Sequence, residues 1–122
     1  MKENLVKIKS FAFAVRIVNL NKYLCDDKKE FVLSRQLLRS GTSVGAAIRE
    51  AEYAESRSDF KHKMHVAQKE INETIYWLEL LKETNYLVNQ QFESINYDAI
   101  EIIKMLTSII KATKSKASPT PR

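Results

Sequence analysis

The sequence predicts an all-α chain of four helices, and three observations carry that prediction. Its 122 residues include two glycines and two prolines, both prolines lying within the last four positions, so few points interrupt a helix. Apolar residues recur in alternating steps of three and four along most of the chain. One segment that otherwise reads as helix, Phe31 to Glu52, holds both glycines, Gly41 and Gly45, with Ser40, Ser43, Ala46 and Ala47 around them. Glycine inside a helix costs about 1 kcal/mol relative to alanine, so another backbone is expected to come close there.

Helix 1 is expected from about Glu3 to Leu24, with Leu5, Ile8, Ala12, Val15 and Asn19 facing the bundle. Its apolar content exceeds one stripe: Phe11, Phe13, Ile17, Val18 and Leu20 also need cover, which implies a second helical neighbour or a subunit interface. Lys2, Lys9 and Arg16 repeat every seven residues and form one basic stripe. With Lys7 and Lys22 they stand against Glu3 alone, so the segment through Cys25 carries most of the chain's net charge of +5. Asp26 to Glu30 reads as a loop, with Asp27 and Glu30 spaced as a capping box for helix 2.

Helix 2 has the seam Ser34, Leu37, Gly41, Val44, Ile48 and Ala51. Ser56 and Asp59 then make a capping-box-like start for helix 3, whose seam is Phe60, Met64, Ala67, Ile71, Thr74, Leu78 and Leu81. Helix 3 is expected to end near Thr84 with Asn85 as its C-terminal cap, leaving Ile75, Tyr76, Trp77 and Leu80 on its outer surface. Asn89 is expected to cap helix 4, with the seam Phe92, Ile95, Ala99, Ile102, Leu106 and Ile109, and a second stripe of Ile103 and Ile110. Residues 1–116 form one bundle domain in this reading, and 117–122 a short tail.

The short connection near Ser56 folds helices 2 and 3 into an antiparallel hairpin. In that register Gly41 meets Ile71, Ala51 meets Phe60, Arg39 lies opposite Glu73, and Glu50 lies near His62. Small residues then oppose large ones, so facing helices interdigitate. The apolar stripes beyond the seam of helix 1 and on helix 4 would form an aggregation-prone patch if exposed, which predicts a closed homo-oligomer.

Little in the sequence points to chemistry. The single Cys25 cannot form an internal disulfide, no apolar run approaches the roughly 20 residues needed to span a bilayer, and the N-terminus lacks a signal peptide's apolar core. A soluble, cytoplasmic protein is expected. Asp59, His62 and His65 fall within one or two helical turns, but a bundle di-metal site needs inward Glu-x-x-His pairs, and the sequence has none. No phosphate-binding glycine loop is present, and Ser43 has no identifiable base. Neither an enzyme nor a cofactor is expected. A pI near 9.3 and the clustering of Lys2, Lys7, Lys9, Arg16 and Lys22 favour a polyanionic partner bound through phosphates, the alternative being a solvated face.

The segments RQLLRSGTSVGAAIREA and DFKHKMHVAQKEINETIYWLELLKETNYL, together with the helix 4 run, resemble the four-helix-bundle proteins encoded by intervening sequences of bacterial 23S rRNA genes. The likeness extends from about Phe31 to Lys111. Where that family typically has an Asn-Ile-x-Glu tetrad, this chain has Ala47 in place of the Asn, keeps Ile48 and Glu50, and has Ala51 where many members have Gly. The resemblance implies an antiparallel up-down-up-down bundle and a ring-shaped homopentamer. It also implies kinship with the accessory variability determinant of diversity-generating retroelements, which works with a reverse transcriptase and turns basic surface towards nucleic acid. Two classes of function stay open: a structured-RNA or ribonucleoprotein accessory factor, and a protein-interaction scaffold whose charge is incidental.

Overall fold

The computed structural model describes residues 2–117, with side chains from 4 to 113, so the tail beyond Ala117 and the side chain of Lys2 lie outside the described residues. Helices α1 (Lys2–Asp26), α2 (Leu33–Ala51), α3 (Arg57–Glu83) and α4 (Asn89–Ala117) follow one another with short connections. Each packs against two neighbours in the order α1, α2, α3, α4 and back to α1, and among the described residues the diagonal pairs make no comparable contact. The α2/α3 interface is the most extensive and the α1/α4 interface the thinnest. No described helix is long and apolar enough to cross a membrane.

The seams of three helices lie where the periodicity places them. Every seam residue of α2 and α4 is buried, as is every one of α3 apart from the partly exposed Phe60. Ile110 is buried as well and Ile103 packs partly against the core, so the second stripe of α4 belongs largely inside the bundle and not on its surface.

Helix α1 departs from its expected phase. The buried side is Val6, Ser10, Phe13, Ile17 and Leu24, while Leu5, Ile8 and Val15 are 46, 65 and 47% exposed. Both stripes of this helix are apolar, so the pattern has no strong preferred face, and the true inner face is the one interrupted by a serine. Ser10 is tolerated because its hydroxyl donates to the Lys7 carbonyl at 3.1 Å. Its smallness also has a use: a Cβ on Gly45 would lie 3.4 Å from the Ser10 carbonyl oxygen. One step along, a Cβ on Gly41 would lie 2.8 Å from both Ile17 Cγ1 and Cγ2. The glycines of α2 therefore admit α1. Ile71 of α3 is not the neighbour that requires Gly41.

The α2/α3 hairpin has the expected register. Arg39 Nη2 donates to both Glu73 oxygens at 2.8 Å, and the buried Thr74 hydroxyl donates to Ser40 Oγ at 2.9 Å. Near the turn, Glu50 takes Lys63 at 3.0 Å and not His62, which is exposed.

The helix ends follow local chemistry. Ser56 Oγ accepts from the Asp59 amide at 3.0 Å and starts α3 as expected. Asn85 takes φ 70° just past α3, where the Tyr86 amide reaches the Leu81 carbonyl and the Asn85 amide that of Lys82, which is a Schellman end. Two caps differ from expectation. Asn89 is already helical, and Gln91 Oε1 accepts from the Val88 amide instead. At α2, Asp27 makes no capping bond to the helix; Glu30 alone serves, its carboxylate accepting from the amides of Val32, Leu33 and Ser34 at 3.3, 2.9 and 2.7 Å. Ser34 Oγ returns a bond to the Glu30 carbonyl at 2.8 Å. Three otherwise orphaned donors thus share one nearly buried carboxylate. Glu30→Ala is expected to lower stability by about 1–2 kcal/mol, and Glu30→Gln by less because an acceptor oxygen remains; thermal melts followed by circular dichroism check both.

Candidate nucleic-acid interface

Three of the five cations singled out on α1 have ion-pair partners, and these three divide between two edges of that helix. Lys7 leans towards α2 and pairs with Glu52 at 2.9 Å. Lys9 and Arg16, one heptad apart, both lean towards α4: Lys9 meets Glu101 at 3.3 Å, and Arg16 meets Asp98 at 2.8 Å while also donating to the carbonyl and hydroxyl of Ser94. Lys22 is exposed and has no ion pair among the described residues, and the Lys2 side chain is not described. The structure therefore brings Lys9 and Arg16 together on one seam, but with carboxylates already opposite them. These pairs are each more than one-third exposed, so each contributes little to stability.

The structural residues sit as follows. Gly41 and Gly45 line the α1/α2 crossing, Glu50 holds Lys63, and Arg39 bridges to Glu73 and, at 3.4 Å, to Glu70. Trp77 Nε1 donates to Glu73 at 3.0 Å. That bond, followed by the bond from Arg39, holds the Glu73 carboxyl below its usual range, and the Glu73 hydrogen bond is the chief reason that the Arg39 guanidinium is raised. A carboxyl depressed in the folded state stabilises above its unfolded pKa and loses that contribution as pH falls through the folded value. We expect the Glu73→Gln variant to differ from wild type by about 1 kcal/mol or less at neutral pH, since Arg39 is half exposed. The difference should shrink below about pH 4.5, the ordinary value for this carboxyl, in urea melts run across pH.

Lys61, Lys69, Lys104 and Lys111 make no ion pair among the described residues, and all but the partly exposed Lys61 are exposed. In the sequence no acidic residue follows Glu101, whereas five basic residues do, Lys104, Lys111, Lys114, Lys116 and Arg122, an excess that the heptad stripe on α1 obscured. A groove of about 500 Å³ opens elsewhere, between the second half of α1 and the start of α4, lined by Arg16, Tyr23, Gln91 and Ile95 among others. Its one charged lining residue, Arg16, is the one held by Asp98. Among the described residues no group of three or more His, Cys, Asp or Glu side chains is placed to hold a metal ion.

Comparison with known proteins agrees with this geometry at the level of the whole bundle. A crystal structure at 1.70 Å of a protein of unknown function from the S23 ribosomal protein family of Bacteroides thetaiotaomicron superposes with a TM-score of 0.90 and 63% identity, covering 91% of this chain and 99% of that one. No curated protein matches the chain. The family model for the 23S rRNA-intervening sequence protein matches residues 2–108, which takes in α1, α2 and α3 whole and α4 as far as Ser108. The chain belongs to the 23S rRNA-intervening sequence protein family.

Proposed function

We propose that this chain is a non-enzymatic accessory factor of the cytoplasm, a closed ring of identical subunits that binds structured RNA, or an RNA with its reverse transcriptase, through basic surface. The observation that carries the reading is the uneven charge of the bundle: its net +5 is not spread evenly but gathers where α1 begins and α4 ends, and the last 21 residues contain no acid at all. A surface of one sign draws a polyanion by neutralising phosphates and releasing their counterions. Lys9 and Arg16 can take part by exchanging a solvent-exposed carboxylate for a phosphate, and Lys2, Lys7 and Lys22 are the further cations of the same helix in this reading.

Oligomerisation rests on apolar surface left uncovered by the four-helix core. Leu5, Ile8, Phe11 and Val15 of α1 are all at least 46% exposed. A subunit interface is the economical cover for them, and five subunits is the number the family resemblance implies. A ring would repeat each subunit's weak phosphate contacts and add them through multivalency. The competing reading, a protein-interaction scaffold, draws on the pairing of Lys7, Lys9 and Arg16 within the subunit, which spends their charge internally. Titration of a labelled RNA hairpin at several salt concentrations separates the two. Binding that weakens steeply with salt supports the accessory factor, and no binding at low salt overturns it. Sedimentation at micromolar concentration should give a single species several times the 14.1 kDa subunit, and a monomer would remove the ring.

A further inference from the structure

The geometry points to an unpaired stretch of RNA, lying across the outer α3/α4 surface, as the ligand of this bundle, with Lys61, Lys69, Lys104 and Lys111 on its phosphates and Tyr76 and Tyr97 under its bases. The inference rests on the RNA-binding reading above and places the contact away from the stripe on α1.

The two helices are tied at this surface by Gln68 Nε2, which donates to Thr107 Oγ1 at 3.2 Å. That bond fixes which residues share a level. Lys61 lies seven residues before Gln68, two turns away on the same face, and Lys69 follows it directly. Lys104 and Lys111 flank Thr107 about one turn to either side. The four lysines thus lie within about two turns of one tie between the helices; of the carboxylates near them, Glu70 is held by Arg39 on the α2 side and Glu101 by Lys9 on the α1 side, while Glu79, exposed and without an ion pair among the described residues, stands three turns beyond Gln68 on the same face.

Continuing along the same antiparallel pair, Tyr76 lies eight residues beyond Gln68 and Tyr97 ten before Thr107, so the two rings reach nearly the same height. They are 56 and 73% exposed. Tyr76 stands edge-on to Trp77 with ring centroids 5.0 Å apart, which restrains it from folding flat onto its own helix. Tyr97 lines a depression of about 380 Å³ together with Ile100 and Lys104, bordered by Glu93, which Asn89 engages, and by Glu101. Cations alone would fit any polyanion. Exposed rings at one end of a cationic track fit nucleotides whose bases are free to stack, and a paired duplex hides those faces.

The test uses the full-length protein, a fluorescein-labelled 15-nucleotide single-stranded RNA of mixed sequence, and a 15-base-pair RNA duplex, followed by fluorescence anisotropy from low to physiological salt. Wild type should prefer the single strand. Tyr76→Ala and Tyr97→Ala should each weaken it by about 5- to 150-fold, the span measured for loss of one stacked base, with the salt slope unchanged. The quadruple variant Lys61→Gln, Lys69→Gln, Lys104→Gln, Lys111→Gln should lose up to about 3 units of the logarithmic salt slope, at about 0.7 per phosphate contact on a single strand. Each variant is checked by circular dichroism and sedimentation; these side chains are outside the core, so fold and assembly should persist. If wild type binds RNA with a salt dependence that the quadruple variant retains, or prefers the duplex, this surface is the wrong one while the RNA-binding reading stands. If wild type binds neither probe at low salt, both fall.

Discussion

Gly41→Leu is expected to lower the stability of the bundle by about 3 kcal/mol or more, the upper part of the range for overpacking a well-filled core. The reason is specific to the neighbour. A Cβ at Gly41 would sit 2.8 Å from Ile17 Cγ1 and Cγ2 and 3.0 Å from Cδ1, and Ile17 is fully buried. Both γ carbons hang from the same branched Cβ, whose rotamer in a helix is nearly fixed, so the side chain cannot swing clear without moving α1. Even Gly41→Ala should destabilise, although alanine gains about 1 kcal/mol of helix propensity. Pairing Gly41→Ala with Ile17→Ala, which removes both γ carbons, should recover part of the loss, a coupling that a double-mutant cycle measures directly. Additive effects in that cycle would count against the close approach of α1 and α2.

Two phenylalanines on one helix give the second large effect. Phe13→Ala should cost about 3–5 kcal/mol, the range for emptying a buried aromatic site, because Phe13 is 1% exposed. Phe11 is 58% exposed and lies beneath Arg49, whose guanidinium carbon is 5.7 Å from the ring centroid, so Phe11→Ala should cost about 1 kcal/mol or less within the subunit. Denaturant melts of the two variants read the phase of α1. Equal losses would mean that the helix is rotated from the orientation described.

How much of this was legible beforehand depended on how lopsided each helix is. The seams of α2, α3 and α4 could be read because each runs unbroken while the apolar residues beside it are interspersed with charged ones, and the Arg39–Glu73 pair followed from the α2/α3 register. Helix α1 is apolar on both sides, so counting steps of three and four selected Leu5, Ile8, Ala12 and Val15, an unbroken stripe that faces outward. The deciding fact was tertiary: Ser10 and Ile17 are the residues that fit over Gly45 and Gly41. The small-residue cluster in α2 therefore announced a close approach, but not which helix made it. The site was less legible than the fold, because sequence spacing shows that Lys9 and Arg16 share a stripe but not that Glu101 and Asp98 stand across from it. Glu30 as sole cap of α2 was also hidden, since it acts from a loop in which Lys29 adopts φ 56° and turns the chain back over Leu24.

The cyclic order of the helices has a kinetic consequence. Three of the four interfaces join helices adjacent in the chain, so each closes over a short connection. The fourth, between α1 and α4, must bring opposite ends of the chain together and is the thinnest. Closing it carries the greatest loop entropy for the least reward. The α2/α3 hairpin is therefore expected to order first on folding, and the α1/α4 seam to open first in the native state. Native-state hydrogen exchange should show the amides of α2 and α3 protected longest, with those of α1 and α4 exchanging through a smaller opening. Uniform protection across all four helices would argue that the bundle opens only as a whole.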